Sequence, residues 1–209
     1  IHVAAPSLAV QALSIFGDHQ DVMATRQTGF AMLASHSVQQ AMDLAGVAHL
    51  SAIKSSIPFL HFFDGFRTSH EVNKIEVLDY DVFDRLLDRE AVKAFRKRAM
   101  NSKHPVTRGS AQNDDVYMQA RELQDTYYKD IPDIVNDYLS EISKETGRDY
   151  KPFVYYGDLE ATEIIVAMGS VTETIKETID YLNANETRKV GLIAVHLYRP
   201  FSAKYFFNV

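Results

Sequence analysis

The stretch IPFLHFF at residues 57 to 63 is apolar at almost every position and shows little alternation of polar and apolar side chains. This pattern is typical of a strand that is covered on both faces, as the strands of parallel sheets are. Because helices supply that cover, the stretch favours an α/β architecture, with parallel sheets and helices on both faces. Further strands are predicted at IHVAA (1 to 5), TEIIVAMGS (162 to 170) and KVGLIAVHLYRPF (189 to 201), the last two buried.

Segments with apolar residues at helical spacing lie between these predicted strands. The segment PSLAVQALSIFG, residues 6 to 17, predicts a helix with Pro6 in its first turn and Gly17 at its end. Ser37 and Gln40 fit a capping box that opens a helix ending near residues 55 and 56. Between these two helices, the pieces VMAT and FAMLAS predict two extended segments joined by a turn at residues 27 to 29.

Residues 81 to 150 are richer in charge and predict an acidic helical connector. Proline lacks the amide hydrogen and suits a first helical turn, so one helix is expected to end near Asp130 and the next to run from Pro132 to Gly147. After the connector, residues 170 to 173 fit another capping box, followed by an amphipathic helix over 171 to 184. Strand, helix and strand here predict the beginning of a second α/β unit.

Composition limits the chemistry. The 209 residues include no cysteine, which excludes disulfides, thiolate-bound zinc and iron-sulfur clusters ligated by this stretch. A net charge of -6 with interspersed signs argues against nucleic-acid binding, and no run of eighteen apolar residues predicts a membrane span. We expect a soluble intracellular protein with small-molecule or protein partners. The chain opens inside a strand without methionine and closes after one strand-helix-strand unit, so we also expect a fragment of a longer protein.

The segment HFFDGFRTSHE, residues 61 to 71, places charged residues directly after the apolar strand. A structural interpretation covers part of it, because Asp64 and Gly65 fit a turn and Thr68 to Glu71 fit a capping box. Arg67 and His70 are not explained in this way, and the carboxyl ends of parallel strands are where ligands usually bind. Both a structural and a functional interpretation stay open for them.

Asp18, His19 and Asp21 in the segment GDHQD form a second candidate group, suited to acid-base or metal chemistry if the loop folds over a pocket. The histidine spacing does not match the His-Glu-x-x-His pattern of helical metal sites. The Gly-Ser pair at 169 and 170, between a strand and a helix, suits an anion weakly. His49 and His196 lie on apolar elements and are expected to be core or interface residues.

Several long strings resemble the pyruvate:ferredoxin (flavodoxin) oxidoreductase family. They are ALSIFGDHQDVMATRQTGFAMLAS, PFLHFFDGFRTSHEVNKIEVLDY, HPVTRGSAQN, VAMGSVTETI and GLIAVHLYRPF, and the resemblance covers essentially the whole chain. It implies a cytoplasmic, homodimeric enzyme of anaerobic metabolism that oxidatively decarboxylates pyruvate on thiamine diphosphate with Mg²⁺. Electrons would pass through [4Fe-4S] clusters to ferredoxin or flavodoxin, and CoA would leave as acetyl-CoA. The isolated stretch is expected to be inactive.

The resemblance also implies a domain division. Residues 1–120 would be the latter part of the pyrimidine-binding domain, 121–150 the helical connector, and 151–209 the start of a domain similar to the transketolase carboxyl-terminal domain. The family's catalytic glutamate and pyruvate-holding residues precede this stretch, so no catalytic, cofactor or metal residue is assigned. Asp18 and His19 become pocket-wall candidates, and Asp64, Arg67 and His70 remain pocket or interface candidates. Pro6 replaces the arginine expected in that turn.

An alternative remains open. The same region could serve as a non-catalytic structural or interaction module, as in the flavoprotein subunit of some sulfite reductases. The presence of cluster-binding cysteines and a thiamine diphosphate metal motif in the parent protein would separate the two functions.

Overall fold

The computed structural model describes residues 1–5, 11–12, 17–107, 109 and 111–209. The helix expected over residues 6 to 17, including Pro6, lies largely outside the described residues. The described strands are β1 (His2–Ala5), β2 (Ala31–Ala34), β3 (Phe59–Asp64), β4 (Phe153–Gly157), β5 (Glu163–Ala167), β6 (Val190–Val195) and β7 (Leu197–Arg199). The described helices are α1 (Gln20–Ala24), α2 (Val38–Ser55), α3 (Gly65–Ser69), α4 (Tyr80–Leu86), α5 (Arg89–Arg98), α6 (Asp114–Tyr128), α7 (Ile131–Thr146), α8 (Val171–Asn185) and α9 (Ala203–Phe206).

The first sheet has the order β1-β3-β2-β7, and β3 runs parallel to both of its neighbours. Alternate residues of its central strands enter two apolar clusters. Leu33 and Phe59 pack in the cluster that contains α2 and α7, whereas Met32 and Phe62 pack on the other face against Val22 of α1. The apolar stretch at 57 to 63 therefore contains a strand covered on both faces, as its pattern predicts.

Helix α2 begins where its capping residues predict, because the Ser37 side chain accepts a hydrogen bond from the Gln40 amide. The Gln40 side chain accepts from the His36 amide, one residue before the position that a capping box uses. The helix ends at Ser55, and the C-cap residue Ser56 has a left-handed φ of 57°. Helix α7, with Pro132 in its first turn and Gly147 at its end, packs against α2 in the same cluster. The domain limits at 120 and 150 stay a prediction.

The second sheet has the order β4-β6-β5, with β5 and β6 parallel and joined through α8. This confirms the predicted strand-helix-strand unit, although the sequence patterns missed β4, which pairs antiparallel with β6. The prediction that 162 to 170 forms a buried strand is wrong about burial. Strand β5 is at the edge of the sheet, and the side chains of Ile164, Ile165 and Val166 are about half exposed.

Two other strand predictions are corrected. VMAT is not extended, because residues 20 to 24 form α1, with the Met23 amide bonded to the His19 carbonyl. The run from 189 to 201 is two strands, β6 and β7, which belong to different sheets. Between them, the amides of His196 and Leu197 both donate to the Pro152 carbonyl, which interrupts the ladder. Strand β7 then pairs antiparallel with β2.

The interpretation of residues 64 to 71 as a turn and a capping box is also wrong. Asp64 ends β3 and Gly65 begins α3 directly. Thr68 lies inside that helix, and its buried hydroxyl has no partner among the described residues. The short helix places Arg67 and His70 beside the carboxyl end of β3.

Candidate functional site

A cleft of about 1000 Å³ lies where the carboxyl end of β3, the loop before α1 and the amino end of α8 come together. It contains residues from both sheet units, because Met168 and Ser170 follow β5 whereas Asp64 ends β3. All five residues singled out from the sequence line this cleft, and they are Asp18, His19, Asp64, Arg67 and His70. The sequence patterns located them in two separate segments, and the fold brings the segments together.

Asp64 is the most constrained of the five. Its Oδ1 lies 2.5 Å from His19 Nε2, and its Oδ2 accepts a hydrogen bond of 2.6 Å from the Ser170 amide. The Asp64 side chain is 7% exposed, so both oxygens are held in a largely dry environment. One carboxylate thereby connects the loop before α1, the end of β3 and the start of α8.

The electrostatics of Asp64 favour its ionised form. Burial alone would raise the pKa of the Asp64 carboxyl, but the hydrogen bonds from His19 and Ser170 outweigh burial and lower the pKa below its usual value. The amide of Ser170 lies at the N-cap of α8, where the helix dipole also favours a negative charge. The anion at this helix terminus is a side chain of the protein itself.

This arrangement corrects the capping box predicted at residues 170 to 173. Ser170 occupies the N-cap position, but its side chain makes no capping hydrogen bond. Thr172 donates to the Gly169 carbonyl, and the Ser170 amide donates to Asp64. A carboxylate 106 positions away along the chain has replaced the local cap.

Gly169 is required by the close approach of these groups. Its φ is +84°, and a Cβ atom at this position would lie 2.7 Å from His19 Cε1 and 2.9 Å from Asp64 Oδ1. Side chains rarely adopt such a φ, and real Cβ atoms do not approach neighbours so closely. A residue other than glycine would push His19 and Asp64 away from α8.

The His19 ring is held from two sides. Its Nε2 faces Asp64, and the ring stands edge to face against Phe62, with centroids 5.2 Å apart and an interplanar angle of 82°. Because a carboxylate with a lowered pKa accepts hydrogen bonds, His19 carries its hydrogen on Nε2. This assignment is the one that the hydrogen-bond network requires.

The remaining candidates lie nearer the mouth of the cleft. Arg67 and His70 are exposed, and the His70 ring stacks on Phe66 with centroids 5.4 Å apart. His70 Nδ1 is 2.8 Å from the Ser69 hydroxyl. Asp18 accepts a hydrogen bond of 2.7 Å from the Gln20 amide, at the beginning of α1. The structure thus gives Asp18 a local structural contact while also placing it on the cleft wall.

The sequence patterns missed a buried histidine pair beside the cleft. His36 follows β2 and lines the cleft, and its ring stacks on that of His196 with centroids 4.3 Å apart. His36 Nε2 donates to the Val195 carbonyl, and the ring nitrogens of His196 lie 2.8 Å from the Lys151 carbonyl and 3.2 Å from Gln40 Oε1. The position of His36 at a strand end was the available signal.

Burial governs the protonation of this pair. Burial lowers the pKa of His36 to about 4, even though the hydrogen bond to the Val195 carbonyl acts in the opposite direction. Burial, and then the neighbouring His36, lower the pKa of His196 well below its usual value. His196 is therefore a buried core residue, as its sequence context predicts, and its neutral ring donates a hydrogen bond to only one of these two oxygens. His49 differs, because it is exposed on α2 and contacts His2.

Metal and cluster ligands do not fit the described part of this chain. Within residues 1–5, 11–12, 17–107, 109 and 111–209, no three histidine or acidic side chains are grouped in a way that could hold a metal ion. The sequence has no cysteine to bind an iron-sulfur cluster. Among the described helices, none combines the length and the apolar character that crossing a membrane requires.

Fold and cleft together define an α/β protein with a polar cleft at the junction of its two sheets. Residues 1–140 match the family model described as pyruvate flavodoxin/ferredoxin oxidoreductase, thiamine diphosphate binding. The chain belongs to this family.

The similarity to full-length relatives also includes the residues after 140. The chain is 60% identical over 207 residues to the pyruvate-flavodoxin oxidoreductase of Enterobacter agglomerans, which covers 99% of this chain and 18% of that protein. It is 55% identical over 208 residues to the pyruvate:ferredoxin oxidoreductase of Moorella thermoacetica, with coverage of 100% and 18%. The chain thus spans about 18% of the length of these relatives.

A solved structure has a similar fold. It is that of 2-oxoglutarate:ferredoxin oxidoreductase from Magnetococcus marinus with 2-oxoglutarate, coenzyme A and succinyl-CoA bound. The TM-score is 0.61 and the identity is 13%, with 97% of this chain and 37% of the other covered. At this identity the likeness is one of fold.

Proposed function

We propose that this chain forms one wall of the reaction site in an oxidoreductase that converts pyruvate and CoA to acetyl-CoA and CO₂ and reduces ferredoxin or flavodoxin. The observation that carries the proposal is the identity of 60% along almost the whole chain to a pyruvate-flavodoxin oxidoreductase. The position of the cleft supports it, because the residues from Gly17 to Asn73 that line the cleft fall within the matched 1–140.

In this proposal the chain supplies part of the wall of the site and binds none of the cofactors wholly by itself. Thiamine diphosphate, when bound, supplies the site for decarboxylation of a 2-oxoacid, and the family description assigns its binding to this region. Mg²⁺ and the [4Fe-4S] clusters would be held by other parts of a longer protein, since the described residues lack a metal-binding group and the sequence lacks cysteine. The five cleft residues would contact ligands or position neighbours.

The proposed domain division follows the sheets except at β7, which lies within 151–209 but pairs with β2 of the first sheet. Residues 1–120 would complete a pyrimidine-binding domain, 121–150 would connect it to the next domain, and 151–209 would begin a domain similar to the transketolase carboxyl-terminal domain. The second sheet supports the last boundary, because β4, β5 and β6 pair only with each other among the described strands. We further propose a cytoplasmic homodimer, with neither nucleic acid nor membrane as a partner.

The test is anaerobic reduction of methyl viologen by the longer protein that carries this chain. We expect reduction to require both pyruvate and CoA, and 2-oxoglutarate to replace pyruvate poorly. A protein with bound thiamine diphosphate and clusters that reduces the dye with neither 2-oxoacid would contradict the proposal. It would support a non-catalytic structural module instead.

A single variant tests whether the cleft itself takes part. Arg67 lines the cleft and is exposed on α3, so Arg67→Ala should leave the fold intact while it changes the contact with ligands. We expect kcat/KM for pyruvate-dependent dye reduction to fall at least tenfold with an unchanged melting temperature. The matched control is Arg89→Ala, because Arg89 is an exposed arginine of α5 that pairs with Asp84. Equal activities of the two variants would count against a role of the cleft.

A further inference from the structure

Helix α6 contains no buried residue. Every described residue from 93 to 127 is exposed, and this range includes all of α6 except its last residue, Tyr128. The Tyr128 hydroxyl donates to the Gly29 carbonyl, and the Arg199 guanidinium lies 5.0 Å from the centroid of its ring. The carboxyl end of α6 is thus held against the first sheet unit, whereas residues 114 to 127 are exposed along their whole length.

The exposed surface of α6 includes an apolar stripe. Val116, Ala120, Leu123 and Tyr127 are spaced by four, three and four residues, so they lie within about 60° of one another around the helix. Leu123 is 61% exposed, and Val116 and Tyr127 are about half exposed. This spacing is the one with which two helices pack along a common seam.

The charged side chains of α6 are spaced away from this stripe. The four carboxylates of the helix and Arg121 fall outside it, toward the other side of the helix. The positions that flank the stripe are Tyr117, Gln119, Gln124 and Thr126, and none of them is charged. A partner would therefore meet an apolar stripe with neutral amide and hydroxyl groups beside it.

A helix of this length and composition needs a partner. Helix α6 has 15 residues, and isolated helices of about this length are marginal in water, because most helical stability in proteins comes from packing of an apolar face. Val116 and Thr126 are β-branched and Tyr117 and Tyr127 are aromatic, and such residues are weak helix formers. The described residues leave the apolar face of α6 uncovered, so its stabilising contacts have to come from elsewhere.

The longer protein has ample material for this cover. The chain spans about 18% of the length of its relatives, so most of such a protein lies outside it. A second copy of this chain is a poorer partner. Helix α6 has four acidic side chains and one basic side chain, and two helices with the same excess of negative charge repel each other.

We propose that the apolar stripe of α6 is the docking surface for an amphipathic helix from a part of the longer protein outside these 209 residues. The partner helix presents aliphatic or aromatic side chains to the stripe and uncharged polar side chains to its flanks. This inference depends on the length of the relatives and on no substrate, so it is independent of the proposed function.

Leu123→Lys in the longer protein places a charge in the middle of the stripe. Met118→Lys is the matched control, because Met118 is 68% exposed on the same helix but lies on the side opposite the stripe. We expect amide hydrogen exchange of residues 114 to 128 to be at least tenfold faster in Leu123→Lys than in the wild type, and unchanged in Met118→Lys. Equal exchange in the two variants would overturn the inference.

Photocrosslinking of the otherwise unchanged longer protein identifies the occupant without a destabilising change. Tyr127→p-benzoylphenylalanine keeps an aromatic ring in the stripe and reacts on irradiation with whatever covers it. We expect peptide mass spectrometry to show residue 127 joined to a helix outside residues 1–209 of the longer protein. A cross-link to a residue within 1–209, such as α6 of a second copy, would overturn the inference, and so would the absence of any cross-link.

Discussion

The Ser170 amide and the Asp64 carboxylate are 106 positions apart in the chain and 2.6 Å apart in space. This hydrogen bond joins the end of a strand in the first sheet to the N-cap of the helix that follows β5 in the second. Because His19 shares the same carboxylate, a local change at this junction reaches both sheet units and the wall of the cleft.

Gly169→Ala is expected to destabilise the protein by more than a positive φ alone explains. The alanine would combine a strained φ of +84° with a Cβ atom 2.7 Å from His19. Gly147→Ala is the matched control, since Gly147 has a φ of +71° and no atom within 4 Å of the added Cβ. We expect a loss of about 1 kcal/mol at 147 and of roughly 3 kcal/mol at 169 in urea unfolding. Equal losses would show that the junction can relax.

Arg148→Ala should be strongly destabilising because it leaves a buried charge without its cation. Asp43 is fully buried, and it accepts hydrogen bonds from Arg148 Nε at 2.9 Å and from the Tyr150 hydroxyl at 2.6 Å. Removal of one partner of a buried ion pair costs about 3 kcal/mol. The control is Arg85→Ala, whose pair with Glu145 is more exposed and is expected to contribute far less to the free energy of unfolding. Urea unfolding at pH 7 measures both, and similar losses would refute the importance of burial.

Stability is expected to fall when the pH falls below neutrality. The pKa of His36 is about 4 in the folded protein and 6.5 in the unfolded chain. Between these values the unfolded chain binds the proton and the folded chain does not, so acidification favours unfolding. His196 acts in the same direction.

His36→Gln tests the origin of this pH dependence. The glutamine amide can still donate to the Val195 carbonyl, but it does not titrate. Between pH 7 and pH 5, the free energy of unfolding should fall by roughly 2 kcal/mol less in the variant than in the wild type. Parallel curves for the two proteins, measured by urea unfolding, would assign the pH dependence to other groups.

The exposed edge strand β5 predicts self-association of this chain when it is studied alone. Ile164, Ile165 and Val166 leave apolar surface exposed on a strand edge that has no partner strand among the described residues, which favours pairing between chains. Val166→Lys should shift sedimentation velocity profiles toward the monomer at high concentration. Thr178→Lys, which adds the same charge on the exposed side of α8, is the control and should not change them.

Local signals predicted much of the fold. The Ser37 cap of α2 was visible because its donor and acceptor are three residues apart. The strand within 57 to 63 was visible because a continuous apolar run predicts a strand covered on both faces. The capping box at Ser170 failed for the opposite reason. The competing acceptor, Asp64, is distant in sequence, and the local pattern contains no information about it.

The candidate site shows the same difference between local features, which the sequence reveals, and long-range contacts, which it does not. Strand ends pointed to Asp64, Arg67 and His70, and the loop composition pointed to Asp18 and His19, because polar residues after apolar runs are visible in a sequence. The contact between His19 and Asp64 was not visible, since it spans 45 positions. His36 and His196 are 160 positions apart in the chain. Their stacking depends on the passage of the backbone from one sheet to the other at His196.

That change of sheets has a mechanical consequence. Strands β6 and β7 are separated by His196 alone, so the two sheets share one continuous length of backbone. A rotation of one sheet relative to the other would change the backbone at His196. The ring of this residue is held by contacts with His36, Lys151 and Gln40. We therefore expect the two sheets to move little relative to each other, so that a ligand binds to a cleft whose shape changes little.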